Sequence, residues 1–310
     1  MIRTTLLLIA LVAPPTGWVT QPPLQVARVG LDVATANGTI VAVGGFNPAK
    51  PGVFNVAETT RTDGNRTWQR ASPMPTARAN VATAELGGLV YAAGGFTDDD
   101  TLDTVEAFDP AIGSWSTVTS LPRRRGAAGA ASLNGLLYVA GGLVDDEISA
   151  SVLAYNPQKK AWAPVASMPT ARWRLRLVAA GGRLYAIGGQ SADGTTLSTV
   201  ERYDPKADTW TAVASMTQDR GVPGVVVIKT SIVVVGGCQF VGGQLRALRR
   251  TAEIYNLNTG QWLPVAAQLP HGRCSLGAAT TSDGSVLAIG GADDATGAPA
   301  ATAEVDALKL

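Results

Sequence analysis

Histidine is nearly absent from this chain: His271 stands alone among 310 residues. That count excludes a histidine-rich zinc site, and no closely spaced cysteine pair offers a thiolate substitute. A Ser-His-Asp triad would have to be built on His271, and no nucleophile motif accompanies it. Charge of one sign is not in excess either. A net charge of +1 leaves no basic field for nucleic acid or an anionic membrane. No apolar run reaches the roughly 20 residues that span a bilayer as a helix. The run at residues 6–13, with Arg3 ahead of it, has the length of a secretory leader. Residues 1–13 therefore read as a signal peptide, residues 14–310 as the working chain, and its place as secreted or periplasmic. The acidic run Asp98-Asp99-Asp100 lacks the glycine and terminal glutamate of a calcium loop. Nothing in the sequence asks for a cofactor.

Glycine, by contrast, is abundant and periodic. A doublet recurs at Gly44-Gly45, Gly94-Gly95, Gly141-Gly142, Gly188-Gly189, Gly236-Gly237 and Gly290-Gly291, with first glycines 50, 47, 47, 48 and 54 residues apart. Such a period marks a propeller or solenoid. Each doublet closes a short apolar run such as Leu89-Val90-Tyr91-Ala92-Ala93. An arginine precedes the first glycine by 16 residues at Arg28, Arg78, Arg125, Arg172 and Arg220, and by 17 at Arg273. A variable loop follows each doublet, then a strand like Thr199-Val200-Glu201-Arg202-Tyr203-Asp204, then a tryptophan at Trp68, Trp115, Trp162, Trp210 or Trp262. Four short strands with turn signals between them, and no helical periodicity, read as one antiparallel blade repeated six times.

The pattern resembles the kelch family: a Gly-Gly doublet, a tyrosine three residues before it, glutamate then an aromatic in the third strand, and tryptophan in the fourth. The resemblance runs from about residue 16 to residue 310. It implies an all-β fold, a six-bladed β-propeller with four antiparallel strands per blade. The sixth unit ends without its tryptophan, whereas Trp18 lies ten residues before Arg28 as Trp68 does before Arg78. The N-terminal strand is therefore expected to close the last blade and remove an open sheet edge. One ring uses the whole chain, so a monomer is expected. Usage rich in Ala, Gly and Arg and poor in Lys suggests a GC-rich bacterium, which gives the sequons at Asn37 and Asn65 little weight. Kelch-type copper oxidases need two histidine ligands, which this chain cannot supply.

Alternating strand direction puts the arginines and the variable loops on one face, and tight turns such as Asn37-Gly38 and Asn134-Gly135 on the other. Binding residues collect on long loops of rigid scaffolds, so any site is expected on the arginine face. Six guanidiniums about 10 Å apart would repel by about 1.5 kcal/mol per neighbouring pair at an effective dielectric of about 20. Either ligand anions or carboxylates such as Glu58, Glu106, Glu201, Glu253 and Glu304 must offset that. In kelch adaptors that recruit substrates to ubiquitin ligases, arginines at this position bind acidic peptides. The resemblance thus implies that Arg28, Arg78, Arg125, Arg172, Arg220 and Arg273 bind a ligand; the alternative is that they brace neighbouring blades. Trp173, Arg174 and Arg176 break the repeat where other units carry small residues such as Gly126 and Ala127, and are expected at the channel mouth as ligand-binding residues. The expected ligand is an anionic small molecule, an acidic peptide or a glycan. A second expectation is an enzyme like the bacterial kelch epimerases of sialic acid, which need an arginine for the carboxylate and an acid/base group. Cys238 and Cys274 lie at the same end of adjacent units. In an oxidising compartment they could form an inter-blade disulfide; with Cα atoms more than about 7 Å apart they would stay buried thiols.

Overall fold

Each repeat folds as one four-stranded antiparallel sheet, and six such sheets stand around an axis. The structure, a computed structural model, describes residues 17–64 and 66–310; the leader expected at residues 1–13 and the sequon asparagine Asn65 lie outside these. The described residues contain strands and turns but no helix. Blade one runs Asp32–Ala36, Thr39–Val43, Ala57–Arg61 and Gln69–Arg70 from axis to rim, and blade four runs Arg176–Ala180, Arg183–Ile187, Val200–Asp204 and Thr209–Val213. Blade six takes Gly277–Thr280, Ser285–Asp293 and Ala300–Lys309 from the C-terminal end and Val19–Gln21 from the N-terminal end. Val19 pairs Ala307 and Gln21 pairs Val305, so the N-terminal strand closes the ring as the sequence predicted. A hairpin, Cys238–Val241 with Gln244–Leu248, stands out from blade five.

The core is divided in the same way. Alternating strand residues turn the apolar set of each sheet toward its neighbours, and six hydrophobic clusters result, one at each blade interface. Between blades two and three, for example, Ala82, Tyr91 and Val105 pack with Leu137, Val139 and Tyr155. The closing interface is built alike, with Leu31, Ile40 and Trp68 against Leu287, Ile289 and Val305. At the rim, the outer-strand tryptophans Trp115, Trp162, Trp210 and Trp262 donate their indole N–H to carbonyls of the preceding blade at 2.8–2.9 Å.

Two rings of backbone hydrogen bonds fasten the blades near the axis. In the first, the amide of each doublet's second glycine donates to the carbonyl of the next blade's arginine, ending with Gly291 to Arg28 at 3.0 Å. The first glycine sits so close to that carbonyl that a Cβ at Gly94 would collide with the Arg125 oxygen. In the second ring, the residue two past each arginine donates to its counterpart in the preceding blade. Asn80 donates to Gly30, Ala127 to Asn80, Arg174 to Ala127, Val222 to Arg174, Ser275 to Val222 and Gly30 to Ser275, a closed cycle of 2.7–3.3 Å bonds. All six members have φ between 45° and 65°, a region that only glycine adopts freely.

Candidate functional site

The six repeat arginines are buried, at 3% exposure or less, and their guanidiniums are already occupied. Arg28 pairs with Glu58, Arg78 with Glu106 at 2.5 Å, Arg172 with Glu201 at 2.7 Å and Arg220 with Glu253 at 2.9 Å. Most also donate to the first glycine of their own doublet, as Arg172 does to the Gly188 carbonyl at 3.0 Å. Arg273 contacts both Glu304 at 2.7 Å and the buried Asp306 at 2.8 Å. Asp306, opposite Ala288, holds the ladder position that Glu58 holds opposite Ala42, and Glu304 only assists. Arg125 has no carboxylate partner among the described residues, because Leu153 stands where the other blades carry the acid; its guanidinium bonds the Gly141 carbonyl at 2.6 Å and the Ser151 hydroxyl at 2.8 Å. Burial, the neighbouring Arg123 charge and no paired acid push Arg125 down to about 10, against a partial offset from Asp145. The expectation that Arg28, Arg78, Arg125, Arg172, Arg220 and Arg273 bind a ligand is therefore corrected. A guanidinium sealed between blades, with its terminal nitrogens on protein acceptors, has no fork left to offer a ligand, and these side chains brace the blades.

The three residues that break the repeat part company. Arg176 begins the inner strand of blade four, at the place held by Asp32, Ala82, Gly129, Gly224 and Gly277 in the other blades. Its guanidinium crosses the axis to Asp32 of blade one at 2.7 Å, and donates to the carbonyls of Pro223 at 2.7 Å and Leu276 at 2.8 Å. The other Asp32 oxygen accepts the Thr83 amide of blade two at 2.8 Å. One side chain and its counter-ion thus join five blades. The small counterparts are a packing requirement, since a Cβ on Gly277 would run into Val33. Below this bridge lies the axial channel, a cavity of about 510 Å³ lined by the six inner strands. Above it only about 10 Å³ remains, between Gly30, Asn80, Ala127, Arg174 and Val222.

Arg174 keeps its charge free. It is the single charged member of the hydrogen-bonded ring, half-buried, and pairs with no carboxylate among the described residues. Its Cζ lies 4.1 Å from the Trp173 ring centroid and 4.9 Å from that of Phe240. One nitrogen donates to Gln190 Oε1 at 3.1 Å. Gln190 is itself buried and fixed by a 2.7 Å bond to the Gly194 carbonyl. Burial lowers the pKa of Arg174 from its ordinary value, the cost of removing an uncompensated charge from water. Aromatic faces return part of it, since a cation over such a face gains about 0.5–2 kcal/mol. Trp173 bridges Gln190 through its backbone, and its indole N–H is buried without a partner.

Phe240 comes from the blade-five hairpin. Cys238 at the base of that hairpin is bonded to Cys274 of blade six, with Cα atoms 5.1 Å apart; of the two outcomes left open by the sequence, the bridge is the one found. Elsewhere on this face two of the loop arginines are paired, Arg124 with Asp100 at 2.7 Å and Arg123 with Asp145 at 2.5 Å. Among the described residues no group of three or more His, Cys, Asp or Glu is arranged to hold a metal ion, and no helix could cross a membrane. Asp32, Gln190 and Phe240 escaped the sequence reading. For Asp32 the signal was present: with the units aligned on the doublets, the position four past the arginine is small in four blades and oppositely charged in the two that face each other.

Six sheets in a closed ring, fastened by buried arginines and glycine doublets, define a β-propeller built from one repeated motif. The model of the Kelch motif matches residues 77–122, 124–169, 174–217 and 223–267, more than half of the chain, and the chain belongs to the kelch-repeat family. It is 40% identical over 73 residues to Kelch repeat and BTB domain-containing protein F47D12.7 of Caenorhabditis elegans, a stretch covering 24% of this chain and 12% of that protein. It is 34% identical over 76 residues to Kelch-like protein 7 of Rattus norvegicus, again 24% of this chain and 12% of that protein. The chain thus matches about an eighth of the length of these curated relatives. The solved structure of YjhT superposes with a TM-score of 0.78, covering 93% of this chain and 99% of that one at 17% identity, a likeness of fold.

Proposed function

We propose that the chain is an exported binding module that holds an anionic ligand, the carboxylate of a small molecule, acidic peptide or glycan, at Arg174 on the arginine face. The observation that carries this is a half-buried guanidinium with no counter-ion among the described residues, framed by Trp173 and Phe240 and fixed by Gln190. Desolvation makes such a charge favour an incoming anion, and a charge-assisted hydrogen bond to it contributes about 1.5–3 kcal/mol. Export is supported by the leader-like residues 1–13 and by a disulfide suited to an oxidising compartment. Calorimetric titration with citrate and a triglutamate peptide tests the site: Arg174→Ala is expected to weaken binding by about tenfold or more, and unchanged binding would remove Arg174 from it.

A sialate-type epimerase is the competing reading. It needs an acid/base group near the anion anchor, and Asp219 is the carboxylate linked to this cluster, accepting the Thr196 hydroxyl that in turn accepts the Phe240 amide. Proton NMR of anomer exchange separates the two: acceleration by purified protein favours the enzyme, and no acceleration removes it.

A further inference from the structure

We infer that the Cys238–Cys274 disulfide is a positioning element of the Arg174 site, setting Phe240 over the guanidinium from the neighbouring blade. The inference rests on the reading of Arg174 as an anion site and adds to it that the site is incomplete without blade six. Cys238 and Phe240 are two residues apart in one strand, so their side chains leave the same face. The register irregularity next to them is taken up by the partner strand, where Arg246 is the extra residue. Fixing the sulfur of Cys238 therefore fixes the azimuth of Phe240.

The hairpin is held from two sides, by blade four along its outer half and by blade six at its base. Residues 241–246 are exposed, so no buried core anchors its tip. On one side it leans on the loop of blade four, where the Phe240 amide donates to the Thr196 hydroxyl at 3.2 Å, the Thr196 amide to the Phe240 carbonyl at 3.1 Å and the Gly243 amide to the Gly194 carbonyl at 2.9 Å. On the other side the covalent link to blade six, between two buried cysteines, is the anchor. At its base, Cys238 and Gly221 exchange backbone hydrogen bonds of 2.8 Å. Without the link, the bonds between Phe240 and Thr196 remain, but the base of the hairpin loses its tie to blade six, and Phe240 is expected to sit less closely on Arg174. At the equivalent interface of blades two and three, Phe96 packs on Gly126, and apolar contact alone serves.

The test replaces both cysteines by serine and compares this variant with the wild type and with Phe240→Ala. The readouts are citrate and triglutamate titration, Trp173 emission taken as the difference from the matching Trp173→Phe protein, and amide exchange of the hairpin. The expected result is a folded variant whose affinity falls by about fivefold, as for Phe240→Ala, the loss equivalent to about 1 kcal/mol of cation–aromatic contact. Amides of residues 240–245 are expected to exchange about tenfold faster as the hairpin opens locally. A folded variant with wild-type affinity, emission and exchange overturns the inference. If the wild type binds neither anion, the binding proposal fails, and the disulfide's role is then decided by emission and exchange alone. Should the double variant not fold, the same readouts are taken on the folded wild type before and after reduction with a dithiol.

Discussion

Val222 has a φ of 45°, a conformation that costs a side-chain-bearing residue about 1–2 kcal/mol and is an outlier for a β-branched one. The cyclic hydrogen bonds at the mouth hold it there. Val222→Gly is accordingly expected to stabilise the protein by about 1 kcal/mol, the relieved strain being partly offset by the greater freedom of glycine in the unfolded chain. Urea melts check this, and a lower midpoint would mean that the valine side chain contributes more packing than its backbone loses. The buried braces obey the opposite logic. Glu106→Leu leaves the Arg78 guanidinium charged and unpaired in the interior and is expected to cost about 3–5 kcal/mol. Leu153→Glu, which restores the missing acid beside Arg125, is expected to be tolerated and to raise the Arg125 pKa. The pairs were half legible: the repeat aligned arginines and glutamates by number, yet it could not show that each pair is sealed under the surface. Burial depends on the neighbouring blade, which a one-dimensional ruler does not see. The same limit explains Asp306. It sits out of frame with the other acids because the sixth blade's third strand is longer and its ladder shifts register between Ile289 and Gly291.

Strands and loops were legible in unequal measure. The inner strands, doublets and turns follow from apolar runs bounded by glycine, and the structure places them where that pattern put them. The cross-axis bridge was not read as a pair, since Asp32 and Arg176 are 144 residues apart and only ring geometry sets them face to face. Arg176→Ala leaves Asp32, 8% exposed, without its counter-ion, and is expected to destabilise the fold by about 3–5 kcal/mol. The double variant Asp32→Ala/Arg176→Ala should recover part of that loss, since removing both charges leaves no buried ion unpaired. A thermal-melt cycle measures the coupling, and additive losses would contradict a direct pair. The blade-five hairpin was likewise unread as the carrier of Phe240, because its sequence follows no repeat period.

At the scale of the whole molecule, closure of the ring sets both stability and function. Removing residues up to Gln21 would expose the edge of Ala300–Lys309 and open the interface between blades six and one. Because an unpaired edge strand recruits other chains, this truncation is expected to lower the melting temperature and to produce concentration-dependent aggregates in light scattering. The closed ring is also what makes its irregularities informative. The repeated geometry consumes its own charges, and the axis is blocked by Arg176 and Asp32, so among the described members of the hydrogen-bonded ring the unspent charge is Arg174. The measurement that tests this account most directly is calorimetric titration of citrate and triglutamate into three proteins: wild type, Arg174→Ala and Arg183→Ala, the last altering an arginine paired with Asp204. The account predicts binding to the wild type and to Arg183→Ala, and about tenfold weaker binding to Arg174→Ala. Equal affinity in all three, with the fold intact, would contradict it.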